Sequence, residues 1–137
     1  TAKVNSQGCT PAIFTSGTPK SSAASGFVIS ARNVINNKPG MFFYGLAGQQ
    51  QLTFQNGYLC VRTPLVRMQL MNSGGNPPAD DCSGEYRFDF NTYIYSGADP
   101  RLVGGTSVDG QFWSRDPALG GSFPTGLTGG IHFVICD

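Results

Sequence analysis

Cysteine is the residue type in this chain with the widest chemistry, and its four copies stand at positions 9, 60, 82 and 136. Thiolates bind zinc or act as nucleophiles, but a zinc site needs close pairs such as Cys-x-x-Cys, and no two of these cysteines are near in sequence. An even number of cysteines in a small, charge-poor chain is instead typical of disulfides formed in an oxidising compartment. We therefore expect scaffolding sulfurs, with no metal, no cofactor and no catalytic thiol.

Four cysteines permit three pairings. The pairing that we favour joins Cys9 to Cys136 and Cys60 to Cys82, each bridge contributing roughly 3 to 5 kcal/mol in the chain-entropy model. The first bridge would hold the two ends of the domain side by side. The second would close the tract 72–81, whose two prolines exclude a central strand and predict a surface loop. The other pairings stay open at this point.

The single histidine, His132, is the second candidate for chemistry, because any Ser-His-Asp or Cys-His catalysis has to pass through it. The chain has no Gly-x-Ser-x-Gly elbow that such a histidine would serve. A histidine on one face of a terminal strand is usually exposed or hydrogen-bonded to a neighbour. Contact with a ligand or partner is the alternative interpretation.

Carboxylates are the third candidate, for calcium binding or for the acid and base of a glycosidase. Asp80 and Asp81 adjoin Cys82, but they lack the alternating ligand spacing of a calcium loop, as do Asp109 and Asp116. The chain has only one glutamate, so a glycosidase would rely largely on aspartates. These acids are therefore interpreted as solvated loop residues, and we expect no enzyme activity.

The densest local signal is the segment 111–117, Gln-Phe-Trp-Ser-Arg-Asp-Pro, which contains the sole tryptophan. One interpretation is a strand with aromatics on alternating faces, ended by the proline. The other is a platform in which Trp113, with Tyr58, Tyr86 or Tyr95, stacks on the apolar faces of sugar rings. Both stay open from the sequence alone.

Composition limits the remaining classes of function. The chain has 137 residues, of which 39% are hydrophobic and only 12% are charged, with a net charge of +1. This length fits one domain with a sizeable core. The charge provides no basic patch for a nucleic acid, and the apolar runs are far too short to span a bilayer.

Frequent Gly and Pro between runs of β-branched and aromatic residues predict an all-β fold, with no helix longer than a single turn. We expect an antiparallel two-sheet β-sandwich, jelly-roll or Ig-like, of eight or nine strands held by disulfides. The predicted strands cover about 11–14, 26–35, 41–46, 50–55, 58–64, 65–71, 85–95, 106–114 and 130–136.

Two segments carry the clearest local patterns. In 85–95, Tyr86, Phe88 and Phe90 alternate with polar residues, which predicts a half-buried strand with its aromatic face in the core. Asn56-Gly57 between apolar runs predicts a tight type I′ hairpin turn. At the C-terminus, the alternation predicts a closing strand with His132 on its outer face.

Four motifs carry a resemblance to a known family: Asn-Asn-Lys-Pro-Gly-Met-Phe-Phe-Tyr-Gly (36–45), Phe-Gln-Asn-Gly-Tyr-Leu-Cys-Val (54–61), Gly-Gly-Asn-Pro-Pro-Ala-Asp-Asp-Cys (74–82) and the segment 111–117. Together they resemble a recurrent C-terminal domain of large secreted proteins in planctomycetes and myxobacteria-like bacteria. The similarity covers nearly the whole chain. It implies an extracellular or cell-surface location and a β-sandwich, with no catalytic residues to transfer.

These observations lead to a division into an N-terminal arm, 1–10, and a sandwich domain, 11–137. We expect a secreted, non-catalytic structural or adhesive module that associates with identical copies, as a fibre or surface layer, through sheet edges or the arm. The alternative is a carbohydrate-binding module whose polysaccharide ligand contacts Trp113, Tyr58, Tyr95 or His132.

Overall fold

The computed structural model describes residues 1–137 and contains eleven β-strands, one short α-helix and one 3₁₀ turn. The strands are β1 (Ala12–Gly17), β2 (Phe27–Val34), β3 (Pro39–Gly45), β4 (Gln49–Phe54), β5 (Gly57–Val61), β6 (Val66–Arg67), β7 (Met71–Asn72), β8 (Gly84–Asp89), β9 (Ser107–Arg115), β10 (Thr125–Leu127) and β11 (Ile131–Val134). The helix α1 spans Phe90–Ser96, and the 3₁₀ turn spans Pro117–Leu119. Neither helical segment has the length and apolar character needed to cross a membrane.

The strands form two antiparallel sheets and a separate hairpin. The first sheet has the order β1-β2-β8. In the second sheet β3 and β9 are neighbours at the centre, β10 and β11 pair with the far side of β9, and β6 and β7 pair with the far side of β3. The hairpin β4-β5 packs on the second sheet through β5 and β9. The predicted all-β sandwich is confirmed, with this hairpin as an additional layer.

The main core consists of thirteen buried residues contributed by both sheets, by α1 and by the segments that follow them. Its centre is aromatic: the ring centroids of Phe42 and Phe112 lie 5.1 Å apart, and Tyr86 stacks on Phe112 at 5.9 Å. Tyr86 and Phe90 are fully buried, and Phe88 packs against the cluster. The prediction that these alternating aromatics enter the core is therefore confirmed.

A second, smaller core lies between β3 of the second sheet and the hairpin. Phe43, whose neighbour Phe42 is in the main core, packs here against Leu59 and Val61 of β5. Successive side chains of a strand point to opposite faces, so β3 is buried on both sides. This explains its uninterrupted apolar run 41–44, which the alternating strands do not show.

The predicted strand 85–95 needs correction, because its second half is helical. Asp89 caps α1 by accepting hydrogen bonds from the amides of Asn91 and Thr92, and Gly97 ends it in the left-handed conformation with φ of 74°. Phe90 and Ile94, one helical turn apart, both enter the main core. The alternation of aromatics thus ends at Asp89, which is the last residue of β8.

Two further differences concern the hairpin turn and the segment 65–71. The tight turn exists, but Gln55 and Asn56 occupy its two positive-φ positions, at 48° and 61°, while Gly57 begins β5. A β-carbon on Gly57 would lie 2.9 Å from Leu127, which explains the glycine there. The segment 65–71 forms the two short strands β6 and β7, which, with the unpredicted β10, bring the number of strands to eleven.

The disulfide joins Cys9 to Cys82, so both predicted bridges, Cys9 to Cys136 and Cys60 to Cys82, are wrong. The register of the first sheet explains the pairing. Ala12 of β1 and Glu85 of β8 both pair with Arg32 of β2, one from each side. Cys9 and Cys82 precede these two residues by the same short interval, so they meet across the end of β2.

The remaining cysteines are free thiols: Cys60 is half-buried and Cys136 is exposed. The C-terminal segment lies against the segment that follows β1 and not beside Cys9 as expected, since the Cys136 amide donates to Pro19 O at 2.8 Å and its carbonyl accepts from Ser21 N at 2.9 Å. Cys9 precedes β1, whereas this contact follows it. The six residues of β1, about 20 Å long, therefore separate the sulfurs of Cys9 and Cys136.

The segment predicted as an arm, residues 1–10, lies on its own domain. The Lys3 amide donates to Leu127 O at 2.9 Å, and the Ser6 amide and hydroxyl donate to the carboxylate of Asp116 at 2.8 and 2.6 Å. The disulfide at Cys9 fixes its other end. In this arrangement residues 1–10 are not free to reach a neighbouring molecule.

Candidate functional site

The outer face of β9 organises the candidate site. Phe112, Gly110 and Val108 face the main core, so the alternating residues Asp109, Gln111 and Trp113 face the hairpin side. The strand β5 crosses this face at Gln111. Trp113 lines an open groove on one side, and His132, the hydrogen-bonding partner of Asp109, lines a polar pocket on the other.

Gln111 fixes the hairpin to the sheet. Its side chain is fully buried, and Nε2 donates to Tyr58 O at 2.8 Å and to Thr128 O at 2.7 Å, while Oε1 accepts from the amide of Cys60 at 3.0 Å. Every polar atom of this amide is paired, so its burial carries no desolvation penalty from a missing partner. Gln111 thereby sets the position of the Cys60 backbone relative to β9.

The Trp113 groove is an open, mostly apolar depression of about 220 Å³. Trp113 is half-buried, and its indole Nε1 donates to Gln55 Oε1 at 3.1 Å. Thr125 Oγ1 donates to the same oxygen at 2.8 Å, so the turn of the hairpin holds the ring in place. The groove is lined by Met41, Phe43, Phe54, Gln55, Leu59, Leu65, Arg67 and Trp113.

The predicted aromatic platform is not assembled. Tyr58 and Leu59 are neighbours on β5, so their side chains point to opposite faces of the strand. Leu59 is the one that lines the groove of Trp113. Tyr95 is 59% exposed but stands on α1, which packs on the first sheet. Tyr86 is buried in the main core, where burial raises its pKa to about 12. Of the four residues predicted to form the platform, only Trp113 lines the groove.

A second, polar pocket of about 200 Å³ brings together two residues that the sequence had separated, Cys60 and His132. Thr1, Gln49, Gln50, Gln51, Gly130 and Ile131 complete its wall. Cys60 packs directly over Gly130, where an added β-carbon would lie 2.8 Å from Cys60 Cβ and 3.7 Å from Sγ. His132 is two residues farther along the chain and so on the same face.

The imidazole of His132 has a fixed orientation. Its Nδ1 lies 2.9 Å from Oδ1 of Asp109, the residue opposite it in the pairing of β11 with β9. The side chain of His132 is 44% exposed, whereas that of Asp109 is 2% exposed. An ionised carboxylate only accepts hydrogen bonds, so in the neutral imidazole Nδ1 carries the proton and Nε2 is the acceptor. His132 was expected to be exposed or hydrogen-bonded, and it is both.

Charged groups also border the groove side of the hairpin. The Lys3 ammonium donates to Gln55 O at 2.9 Å and to Phe123 O at 3.1 Å. Burial lowers its pKa, an effect opposed by the negative charge of Asp116. The Lys3 ammonium thus stabilises the turn that holds Trp113. Arg67 is the positively charged residue that lines the groove.

The sequence did not point to three residues that define these sites. Gln111 belongs to the segment 111–117 and Gln55 to the motif 54–61, but neither was given a role, because a buried or turn glutamine is identified only by its partners. Asp109 was considered only as a loop acid, although the alternation along β9 places it on the face of Trp113. No group of three or more His, Cys, Asp and Glu side chains is placed to hold a metal ion.

Comparison of the chain with protein-family models, with curated proteins and with solved structures finds no match. The function is therefore argued from the geometry alone.

Proposed function

We propose that this chain is a non-catalytic, extracellular structural or adhesive module that associates with copies of itself through the edge strand β1. The observation that carries the proposal is that one edge of β1 is unpaired. β1 pairs with β2 on one side and with no strand on the other. The unpaired amides and carbonyls of an open edge are a template for a strand of another molecule.

The edge of β1 lacks the features that usually protect such strands. Its sequence, Ala-Ile-Phe-Thr-Ser-Gly, contains no charge and no proline, and its pairing with β2 has no register shift. Phe14 is 45% exposed, and the guanidinium of Arg32 lies 5.0 Å from its ring centroid. An uncharged, regular strand of this kind favours pairing with an identical strand.

The other edges of the molecule are shorter or interrupted. β6 and β7 have two residues each, and β4 has a register shift between Gln49 and Leu52. The free side of β8 is partly covered, since Glu85 N donates to Ser73 O at 2.8 Å. β1 is therefore the edge from which association is proposed.

The disulfide Cys9–Cys82 supports an extracellular location, because such bonds persist in oxidising compartments. Residues 1–10 are hydrogen-bonded to their own domain, so we assign the contact between copies to the sheet edge and not to the arm.

Light scattering over a range of protein concentrations tests the proposal. We expect a monomer–dimer equilibrium that Thr15→Lys shifts to monomer, because a lysine on the edge opposes pairing. Ala118→Lys adds the same charge in the 3₁₀ turn, away from any strand, and should leave association unchanged. A wild-type protein that is monomeric throughout, or equal association of the two variants, contradicts the proposal.

The predicted filament requires a second contact, since pairing of β1 with β1 about a two-fold axis closes on itself. Electron micrographs of concentrated protein separate dimers from filaments.

Carbohydrate binding at the Trp113 groove is a second candidate, supported by the half-buried indole that Gln55 holds beside Arg67. Aromatic rings bind the apolar faces of sugars, and a guanidinium binds acidic groups. Titration of the single-tryptophan emission with neutral and acidic oligosaccharides tests it. Tryptophan emission that stays constant at millimolar concentrations of sugar excludes carbohydrate binding at this groove.

A further inference from the structure

We propose that Cys60 is a nucleophilic thiol that exchanges with a disulfide of another molecule, and that His132 takes up its proton. The product is a mixed disulfide that attaches this domain covalently to a polar, disulfide-bearing peptide or small molecule. The inference rests on the Cys60–His132 pocket and does not depend on association through β1.

The first step is that Cys60 is free in a protein that otherwise holds a disulfide. Cys9 and Cys82 are bonded to each other, whereas the Cys60 sulfur has only a long contact of 3.8 Å with the carbonyl of Tyr58. Cys136 lies on the C-terminal segment that pairs with Lys20, remote from the hairpin. Cys60 thus has no sulfur partner within the fold.

The second step is the buried carboxylate. Asp109 is almost wholly buried, and its hydrogen-bonding partner among the side chains is the imidazole of His132. Burying a carboxylate is unfavourable unless it is paired. Pairing it with a partly exposed histidine fixes the tautomer and leaves Nε2 free to accept a proton, as in the His-Asp pairs that activate nucleophiles.

The third step is the shared pocket. Cys60, through its contact with Gly130, and His132 stand on the same face of the β11 segment and line the same open cavity. The Cys60 sulfur makes no hydrogen bond to the imidazole, so the proton reaches Nε2 through water in the cavity. The surrounding wall is polar, with Thr1 and three successive glutamines, 49–51, which suits a peptide backbone or a polar thiol compound.

The exchange balances without an external oxidant. The Cys60 sulfur attacks one sulfur of the partner's disulfide, forming a new S–S bond as the partner's S–S bond breaks. The Cys60 proton passes to His132 Nε2 and from there to the departing thiolate. One disulfide and one thiol are consumed, and one mixed disulfide and one thiol are formed.

The chain contains its own control. Cys136 is more exposed than Cys60, but its nearest charged neighbours along the chain and across the bridge are Asp137 and Lys20, and it has no imidazole beside it. If exposure alone governs reactivity, Cys136 reacts faster. If His132 assists, Cys60 reacts faster.

The test begins with peptide mapping of protein purified without reductant from an exporting host. The expected result is a Cys9–Cys82 bond with Cys60 and Cys136 either free or in mixed disulfides with small thiols. A disulfide between Cys60 and another cysteine of the chain overturns the proposal.

Rates of reaction with excess oxidised glutathione are then followed separately at the two free cysteines by mass spectrometry. We expect Cys60 to react at least about 10-fold faster than Cys136, and His132→Gln to remove most of this advantage. Asp109→Asn should reduce it too, because the tautomer is no longer fixed. The rate at Cys136 reports on folding and should stay constant in both variants. Equal rates in the wild-type protein, or a ratio unchanged by His132→Gln, overturn the proposal.

Discussion

The hydroxyl of Tyr44 donates a hydrogen bond of 2.6 Å to Oδ2 of Asp99. Arg101 binds the same carboxylate through Nε and Nη2, at 2.9 and 2.8 Å, and the hydroxyl of Tyr93 lies 3.0 Å from that of Tyr44. This network joins the centre of the second sheet to the loop that follows α1. The loop leads into β9, so the network helps to set where β9 begins.

The network predicts a defined acid sensitivity. The hydrogen bonds from Arg101, and then that from Tyr44, hold the pKa of Asp99 well below its usual range. The unfolded carboxyl binds a proton near pH 4 and the folded one only at lower pH, so the unfolded state binds more protons in this interval. The stabilisation by Asp99 is therefore complete above about pH 4 and is lost as the pH falls toward the folded pKa.

Asp99→Asn tests this sensitivity. We expect the free energy of unfolding at neutral pH to fall by about 2 to 3 kcal/mol, and its decline in acid to become shallower. Urea titrations at several pH values measure both effects. Glu85→Gln, which removes the exposed ion pair with Arg32, should cost less than about 1 kcal/mol. An Asp99→Asn protein with the wild-type decline would contradict the assignment.

The disulfide leads to a second prediction. Replacing both Cys9 and Cys82 by serine should lower the free energy of unfolding by about 4 kcal/mol, the chain-entropy value for a separation of 73 residues. Cys136→Ser should leave stability unchanged, because that sulfur is exposed and unpaired. Denaturant titrations without reductant compare the two. A large loss in Cys136→Ser would support the pairing first predicted from the sequence.

This disulfide shows where sequence reasoning stops. The strands that flank β2 were both predicted, but the symmetric register that puts Cys9 beside Cys82 depends on which strands are neighbours. Sequence patterns report the period and the turns of each strand, not its partner. The fold class, the aromatic core and most strands were thus accessible, whereas the sulfur pairing was not.

The errors at α1 and at the hairpin have local causes. Asp89 fits the alternating pattern as a polar residue, yet Asp89 and Gly97 together are also a helix start and stop, and Phe90 and Ile94 have helical spacing. At the hairpin, Gln55 and Asn56 form the turn, and position 57 requires glycine because an added β-carbon would lie 2.9 Å from Leu127. The helix signal was present in the sequence, but the contact with Leu127 was not.

Gly110 provides a third prediction, on packing. A β-carbon at this position would lie 2.1 Å from Cζ of the buried Phe42, so the strand β9 requires glycine there. We expect Gly110→Ala to cost about 2 to 3 kcal/mol or to shift the Phe42 ring. Gly129→Ala is the matched control, since an added β-carbon there would have Thr1 N as its nearest neighbour beyond the adjacent residues, at 3.9 Å. Thermal unfolding should separate the variants, and equal melting temperatures would refute the contact.

Gln55 is the last test, because it couples the hairpin turn to Trp113. In Gln55→Ala, the indole Nε1 of Trp113 and the hydroxyl of Thr125 both lose their acceptor, which should cost about 1 to 2 kcal/mol. The loosened ring should also become more accessible to acrylamide, and the chain has only one tryptophan to report it.

Asn56→Ala changes the other residue of the same turn, also at positive φ, but its side chain makes no hydrogen bond that holds Trp113. Both variants place an alanine at positive φ, at a larger backbone cost in Asn56→Ala because asparagine tolerates that region well, and only Gln55→Ala loses the Gln55 oxygen. If acrylamide quenching rises in Gln55→Ala and not in Asn56→Ala, the turn positions the indole through that oxygen. Equal quenching in both would mean that the surrounding apolar side chains hold Trp113 without help from the turn. The groove would then be shaped by the smaller core of Phe43 and Leu59 alone.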